Sequence, residues 1–459
     1  MSEPKDIQEV KKAHFVGLGG IGMSAILRLF AERGIQVSGS DINLPPTETL
    51  PVGDFYPSHD AAYVPIDATL LIYSAAVPES NPERKRAKEL GITEMSYPEA
   101  LAAVTAPYTT IAVSGTHGKS TTTAILGKLF EAGDLDPSVI VGAEVPGWKD
   151  RNLRKGESDV FIVEACEYRR HMMNLSPQAI VLTNLELDHP DYYRDLDDIK
   201  SAFKEYIGKL GSEGLLVANN DDANIRDIMR EFDGIFVSYG VGSDADLVAK
   251  NISSGSDHQS FELVWKGASL GEFTTPLPGL YNVYNIIAAC AAYLAYGGKS
   301  ECIQGVLDAF HGVGRRFEVV GMLGNTTIVS DYAHHPTALK AVVEAALSRY
   351  KGKRLLTIFR PHQRERTKKL FEQFVAVMGN IPALLLVEIY DVAGREEGLS
   401  ISSQDLITKV REKFHDPQIR YAKDLTDAEQ IAREEAGHFD VMLVVGAGDA
   451  DQLAYHLVK

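Results

Sequence analysis

Residues 113–122 read VSGTHGKSTT and close as a nucleotide-binding P-loop closes, in Gly118-Lys119-Ser120. Gly115 and Gly118 permit a tight turn whose backbone N–H groups can hold an anion. Lys119 is long enough to reach the β- and γ-phosphates of ATP, and Ser120 or Thr121 can place a hydroxyl on Mg²⁺. The full pattern asks for one more glycine at position 113, where Val113 stands, so this is not the generic loop. A chance GKS is common, whereas GKST between an apolar strand and a helical run is not.

Three further groups of residues could do chemistry. Gly17-Leu18-Gly19-Gly20-Ile21-Gly22 meets the GxGxxG pattern, and Asp41 ends the following strand. Glycines there let a phosphate approach a helix N-terminus, and Asp41 could accept hydrogen bonds from a nucleoside. A strand–helix turn without a ligand explains the same glycines, and NAD is not specified by them. Glu164, Glu167, Asp188 and His189 follow two apolar strands of the same block as the P-loop. Strand carboxyl ends gather at the ligand crevice of a parallel sheet, so these groups could hold a divalent ion on ATP. Taken singly, each is as well read as a solvated carboxylate or a satisfied polar histidine.

The remaining group is DYAHHP (331–336) with RPHQRER (360–366), which brings His334, His335, His362, Arg360, Arg364 and Arg366 to neighbouring strand ends. Guanidinium binds carboxylates bidentately, so a carboxylate-bearing substrate suits them, with a solvated charged loop as the bland alternative. GAGD (446–449) reads as a plain strand–helix turn, and Met172-Met173 and Tyr192-Tyr193 read as packing.

The elements that must position these groups alternate in type. Apolar runs such as AHFVGL, TTIAVSG, VFIVEA, AIVLTN, TTIVSDY, RLLTIF and FDVMLVVGAG read as strands, and amphipathic stretches between them read as helices. That order predicts parallel sheets with crossover helices. Residues 245–276 break the pattern and read as antiparallel hairpins. VTAPYT (104–109) reads as a linker and GVGRRFEVVG (312–321) as a glycine-rich break. Three α/β units follow, over 1–106, 107–316 and 317–459: a Rossmann-like unit, a P-loop ATPase-like unit and a second Rossmann-like unit.

Bulk composition agrees. A chain of 459 residues exceeds one compact core. Its net charge of −17 argues against duplex nucleic acid as a partner, though an acidic protein can still hold a phosphate with a few local groups. Three cysteines with no CxxC pair suggest neither a disulfide framework nor a zinc knuckle. The polar start MSEPKDIQEVKK and the absence of a long apolar run point to a cytoplasmic protein without a membrane segment.

Together the motifs resemble the Mur ligase family, ATP-dependent amino-acid-adding enzymes of peptidoglycan precursor synthesis. The family's phosphate loop is GTxGK[ST], which matches residues 115–120. GTHGK with histidine, HFVGLGGIGMS, YSAAVPESNPE, NLELDH, YNVYN, GRRFE, DYAHHPT and FRPHQRERT resemble the branch that adds L-alanine to UDP-N-acetylmuramate. By resemblance, Gly19, Gly20, Ile21, Asp41 and Ser74 would serve UDP rather than NAD. Gly115, Thr116, His117, Gly118, Lys119, Ser120 and Thr121 would hold ATP, joined by Asn282, Asn285 and Arg315. Ser120, Glu164 and His189 match metal positions for Mg²⁺ or Mn²⁺, and Tyr332, His334 and Arg366 match positions around the substrate carboxylates. Lys119, His189 and His334 would be the catalytic groups, either histidine serving as base for the amine. A monomer or homodimer is expected, since sequence does not choose between them.

The chain departs from the family pattern in three places. Glu164-Ala165-Cys166-Glu167-Tyr168 stands where many members read EADES, Tyr281 replaces a frequent histidine, and Gln363 replaces a basic residue. The nearest alternative is a ligase that joins a tripeptide to the same nucleotide. An NAD-dependent oxidoreductase would explain Gly17 and Asp41 but leave GTHGKST without a task.

Overall fold

The computed structural model describes residues 7–242, 244–391, 400–415 and 417–459. Its strands form three sheets, one per α/β stretch of the chain. The first has five parallel strands in the spatial order Gly53–Tyr56, Gln36–Ser40, Lys12–Val16, Leu70–Tyr73, Thr93–Ser96. Phe15, Leu71 and Ile72 are fully buried, as the apolar runs FV and LLI require of strands covered on both faces. Strand order runs outward in both directions from Lys12–Val16, so a crevice opens at its carboxyl end, where residues 17–22 turn into the helix Ile21–Glu32.

The second sheet has ten strands. Its parallel centre includes Thr109–Ser114, flanked by Val160–Glu164 and Ala179–Leu182. Residues 247–275 add the expected antiparallel strands, Leu247–Ser254, Gln259–Trp265 and Ala268–Thr275. Helices Lys119–Ala132 and Leu280–Ala295 pack on this sheet through Ile125, Leu129, Ile286 and Ala289. The third sheet has six strands, five of them parallel, with Thr326–Asp331, Val441–Gly446 and Leu355–Arg360 at its centre. No helix among the described residues is long and apolar enough to cross a membrane.

The structure departs from the sequence reading at the two junctions. Helix Tyr97–Thr105 runs into the expected linker, Val104 and Thr105 are buried, and Thr110 Oγ1 donates to the Thr105 carbonyl at 3.1 Å. The first junction is therefore a packed joint. Asn152 reinforces it, receiving a bond from Arg28 at 2.9 Å and donating to the Ile21 carbonyl at 2.7 Å. At the second junction the glycine-rich break ends early. Glu318–Leu323 is an antiparallel edge strand, irregular between Val319 and Gly321, where the glycine hides it from a propensity reading. The strands Ser138–Ile140, Leu153–Arg154 and Ile419–Ala422 are too short to show a period in sequence.

Behind the first crevice lies a buried polar cluster. Glu83 is fully buried and receives His14 Nε2 at 2.6 Å, Ser40 Oγ at 2.7 Å and His59 Nδ1 at 2.8 Å. Removing the carboxylate would leave the buried His14 Nε2 without its partner and Ser40 and His59 with only each other, at 2.8 Å. Glu83→Ala is expected to destabilise the first unit by about 3 kcal/mol, read from urea unfolding. A change below about 0.5 kcal/mol would contradict the assigned network.

Candidate functional site

The strand Thr109–Ser114 ends inside the protein, with Val113 fully buried in the sheet core. The loop that follows is bolted to residues 183–186. Thr116 N–H donates to the Asn184 carbonyl at 3.0 Å, and His117 N–H donates to Asn184 Oδ1 at 2.8 Å. Thr116 Oγ1 accepts from the Glu186 N–H at 3.0 Å. Gly118 has φ +83°, and a Cβ there would collide with Asn285 Oδ1. Position 118 thus needs glycine twice over, for its backbone and for the approach of the helix Leu280–Ala295.

Lys119 opens the helix Lys119–Ala132 and folds back over this loop. Its Nζ donates to the Gly115 carbonyl at 2.5 Å, the Thr116 carbonyl at 3.1 Å and Glu167 Oε2 at 2.8 Å. Burial opposes the ammonium charge most strongly, but Glu167 together with the other acidic groups around it outweighs burial and raises the lysine above its ordinary range. Glu167 is held from three sides: by Lys119, by His189 Nε2 at 3.3 Å, and through its carbonyl by the Tyr193 hydroxyl at 2.7 Å. Burial works against its charge too, yet Lys119 and then His189 prevail and hold the carboxyl at about 2.

Asp188 forms the second buried ion pair. Arg366 Nε and Nη2 each lie 2.9 Å from its Oδ1, and both residues are nearly inaccessible. Burial again opposes ionisation, and the guanidinium reverses the balance, keeping Asp188 well below the usual carboxylate range. Since Arg366 belongs to the third unit, this pair joins the two units at the cavity. Lys369 adds to the joint by donating to the Tyr193 and Arg194 carbonyls.

A cavity of about 810 Å³ lies between the second and third units. Of the residues singled out in sequence, Thr116, His117, Gly118, Lys119, Ser120, Thr121, Glu164, His189, Asn282, Asn285, Tyr332, His334 and Arg366 line it. Gly115 sits just behind, and Arg315 is not in the lining, where Arg316 stands instead. Arg315 has φ +60° and lies 3.7 Å from Asp451. Both guanidinium groups lie 4.9 Å from the ring of Tyr332, so Arg315 stays at the cavity's edge. Gly19, Gly20, Ile21, Asp41 and Ser74 lie apart, at the carboxyl edge of the first sheet. There Asp41 accepts from the Gly19 N–H at 2.8 Å and the Asn43 N–H at 2.7 Å, so it braces its own loop.

The ligand atoms of Glu167, Asp188 and His189 lie within 4.8 Å of one another. Carboxylate oxygens suit Mg²⁺, which commonly takes one or two carboxylates and completes its shell with phosphate and water, so this donor set fits. Glu164 lines the same cavity but accepts from the Gly142 N–H, and burial raises its carboxyl. Cys166 also lines it, with its side chain exposed to the cavity. His334 Nδ1 lies 3.0 Å from the Tyr332 carbonyl, which assigns its proton there and leaves Nε2 with a lone pair. Burial, then Arg366, holds this imidazole well below its ordinary value, hence neutral. Sequence reasoning passed over Asn184 and Glu186, whose only signal is their place in NLELDH beside the P-loop.

Glu167 has a testable pH signature. Its folded value of about 2 lies below the ordinary 4.5, so its stabilising share is complete above that ordinary value and fades as pH falls toward 2. The stability difference between wild type and Glu167→Gln should shrink from about pH 6 to about pH 3 in urea unfolding. A difference independent of pH would contradict the ion pair.

Comparison with known proteins agrees with this arrangement. Residues 12–109 match the profile described as Mur ligase family, catalytic domain. Residues 113–293 match the Mur ligase middle domain, and 315–448 match the Mur ligase, glutamate ligase domain. A UDP-N-acetylmuramate–L-alanine ligase of Alkaliphilus metalliredigens is 34% identical, over 99% of this chain and 98% of its own. The fold is shared with UDP-N-acetylmuramate–alanine ligase from Thermotoga maritima, at TM-score 0.80 and 23% identity over 97% of this chain and 98% of the other. A murein peptide ligase from Psychrobacter arcticus superposes at TM-score 0.73 and 21% identity, with 97% and 98% covered. With three family profiles in order and a relative alike from end to end, the chain belongs to the Mur ligase family.

Proposed function

We propose that the protein joins L-alanine to the lactyl carboxylate of UDP-N-acetylmuramate, using ATP and releasing ADP and phosphate. The reading takes its substrates from the alanine-adding relative of full-length similarity. One observation carries it in the structure: Lys119 of the phosphate loop and His334 and Arg366 of the third unit line one cavity. A carboxylate is a poor acyl donor, so ATP first phosphorylates it, and the alanine amine then displaces phosphate through a tetrahedral intermediate.

Each group has a place in that sequence. Lys119 leaves the Gly115 and Thr116 carbonyls to meet the γ-phosphoryl, while Glu167 keeps it oriented. Mg²⁺ or Mn²⁺ would be held by Glu167, Asp188 and His189 with Ser120 and Glu164 nearby, and when bound it offsets charge on the transferring phosphoryl group. His334, neutral and with a free Nε2, takes the proton from the amine; His189, facing Glu167, is better suited as a ligand. Arg366 recognises a carboxylate by the geometry it already offers Asp188. Residues 1–106 bind the UDP moiety, 107–316 bind ATP, and 317–459 bind the amino acid. A cytoplasmic monomer or homodimer completes the proposal.

Phosphate release from Mg-ATP should require both UDP-N-acetylmuramate and L-alanine, with the amide identified by mass. Turnover with a tripeptide alone would move the reading to the peptide-adding branch, and no amino-acid-dependent release would overturn it. Lys119→Ala should lower kcat by at least about 10³-fold while leaving UDP-N-acetylmuramate binding nearly intact. Loss of that binding in a folded variant would contradict the division between units.

A further inference from the structure

A second group of metal-type ligands stands beside the phosphate loop. His117 Nε2 lies 2.7 Å from Glu186 Oε1, and His335 Nδ1 lies 3.8 Å from Glu186 Oε2. All three ligand atoms fall within 4.8 Å of one another. His117 and Glu186 come from the second unit and His335 from the third, so the group straddles their junction. None of the three belongs to the Glu167–Asp188–His189 group, and the inference does not depend on the ligase reading.

We propose that His117, Glu186 and His335 form a binding site for a borderline divalent cation of the Zn²⁺ type, which ties the phosphate loop to the third unit. Two imidazoles and one carboxylate favour zinc over magnesium, which prefers oxygen donors. Zinc bonds of ~2.0–2.1 Å set tetrahedral donors roughly 3.3 Å apart, and the separations present here bracket that spacing. Supporting groups of the kind metal sites use are already in place. His335 Nε2 lies 3.2 Å from the Leu187 carbonyl and donates to it, which leaves Nδ1 as the lone-pair nitrogen on the Glu186 side, where it accepts the Thr337 N–H at 3.3 Å that a bound cation would displace. Glu186 Oε2 accepts the Thr337 hydroxyl at 2.8 Å. The main chain of His117 is clamped at both ends by Asn184.

One polar atom lacks a satisfactory partner. His117 Nε2 is buried, and despite its closeness to Glu186 the two are out of line for a hydrogen bond. A cation between the imidazoles and the carboxylate would satisfy it.

The test uses the full chain, stripped of metal by chelator and dialysed. One equivalent of Zn²⁺ should bind, and X-ray absorption at one equivalent should show two imidazole nitrogens. Co²⁺ should give the visible absorption of a four-coordinate site. His335→Gln and Glu186→Gln should weaken Zn²⁺ binding at least about tenfold, while His189→Ala stays within roughly twofold of wild type. Zinc with fewer than two imidazoles, or affinity lost in His189→Ala and kept in His335→Gln, would overturn the assignment. The X-ray absorption is measured on the unaltered protein, so it decides the matter whether or not a variant folds.

Discussion

A lysine charge shielded from water has to be neutralised nearby, and Glu167 does this for Lys119. Much of the site's geometry follows from that one pair. To bring the carboxylate under the phosphate loop, the chain turns sharply after Glu167, with Arg169 and Arg170 both in left-handed backbone. Such conformations cost free energy for non-glycine residues and persist where their surroundings enforce them. Here the Tyr193 hydroxyl on the Glu167 carbonyl and the Arg170 N–H on the same carbonyl provide the enforcement. His189, itself at φ +52°, then faces the second oxygen of Glu167.

The same physics recurs at the junction of the second and third units. Asp188 and Arg366 neutralise each other in a region almost closed to solvent, so separating the units exposes two charges that then need water. This makes the interface specific as well as closed, because few other pairings satisfy both groups. The first unit is joined differently, through Arg28, Asn152 and the buried end of helix Tyr97–Thr105. Its glycine loop stands apart from the cavity. A substrate that used both would have to be long, with an anionic nucleotide at one end and a reacting carboxylate at the other.

Much of this was legible in the residues. The P-loop, the GxGxxG turn and the order of strands and helices each depend on local spacing, and local spacing is what a sequence displays. Val113, which looks like a departure from the P-loop pattern, is an inward strand residue in the sheet core. Choices between adjacent residues were not legible. Arg316 lines the cavity while Arg315, in left-handed backbone, reaches toward Asp451, although both lie over Tyr332. Glu167 rather than Glu164 joins the cluster with Asp188 and His189, because Glu164 is turned to the Gly142 N–H. Nor does FRPHQRERT disclose that Arg366 meets Asp188, since that contact arises only once two sheets have been placed side by side.

In the proposed reaction the phosphate loop and the third-unit histidine and arginine act in turn on one carboxylate. Transfer of oxygen isotope tests this most directly. UDP-N-acetylmuramate labelled with ¹⁸O in the lactyl carboxylate is turned over with Mg-ATP and L-alanine, and the released phosphate is analysed by mass. An acyl phosphate requires one labelled oxygen to leave with phosphate. Phosphate free of label, formed together with the amide, would contradict that order of events.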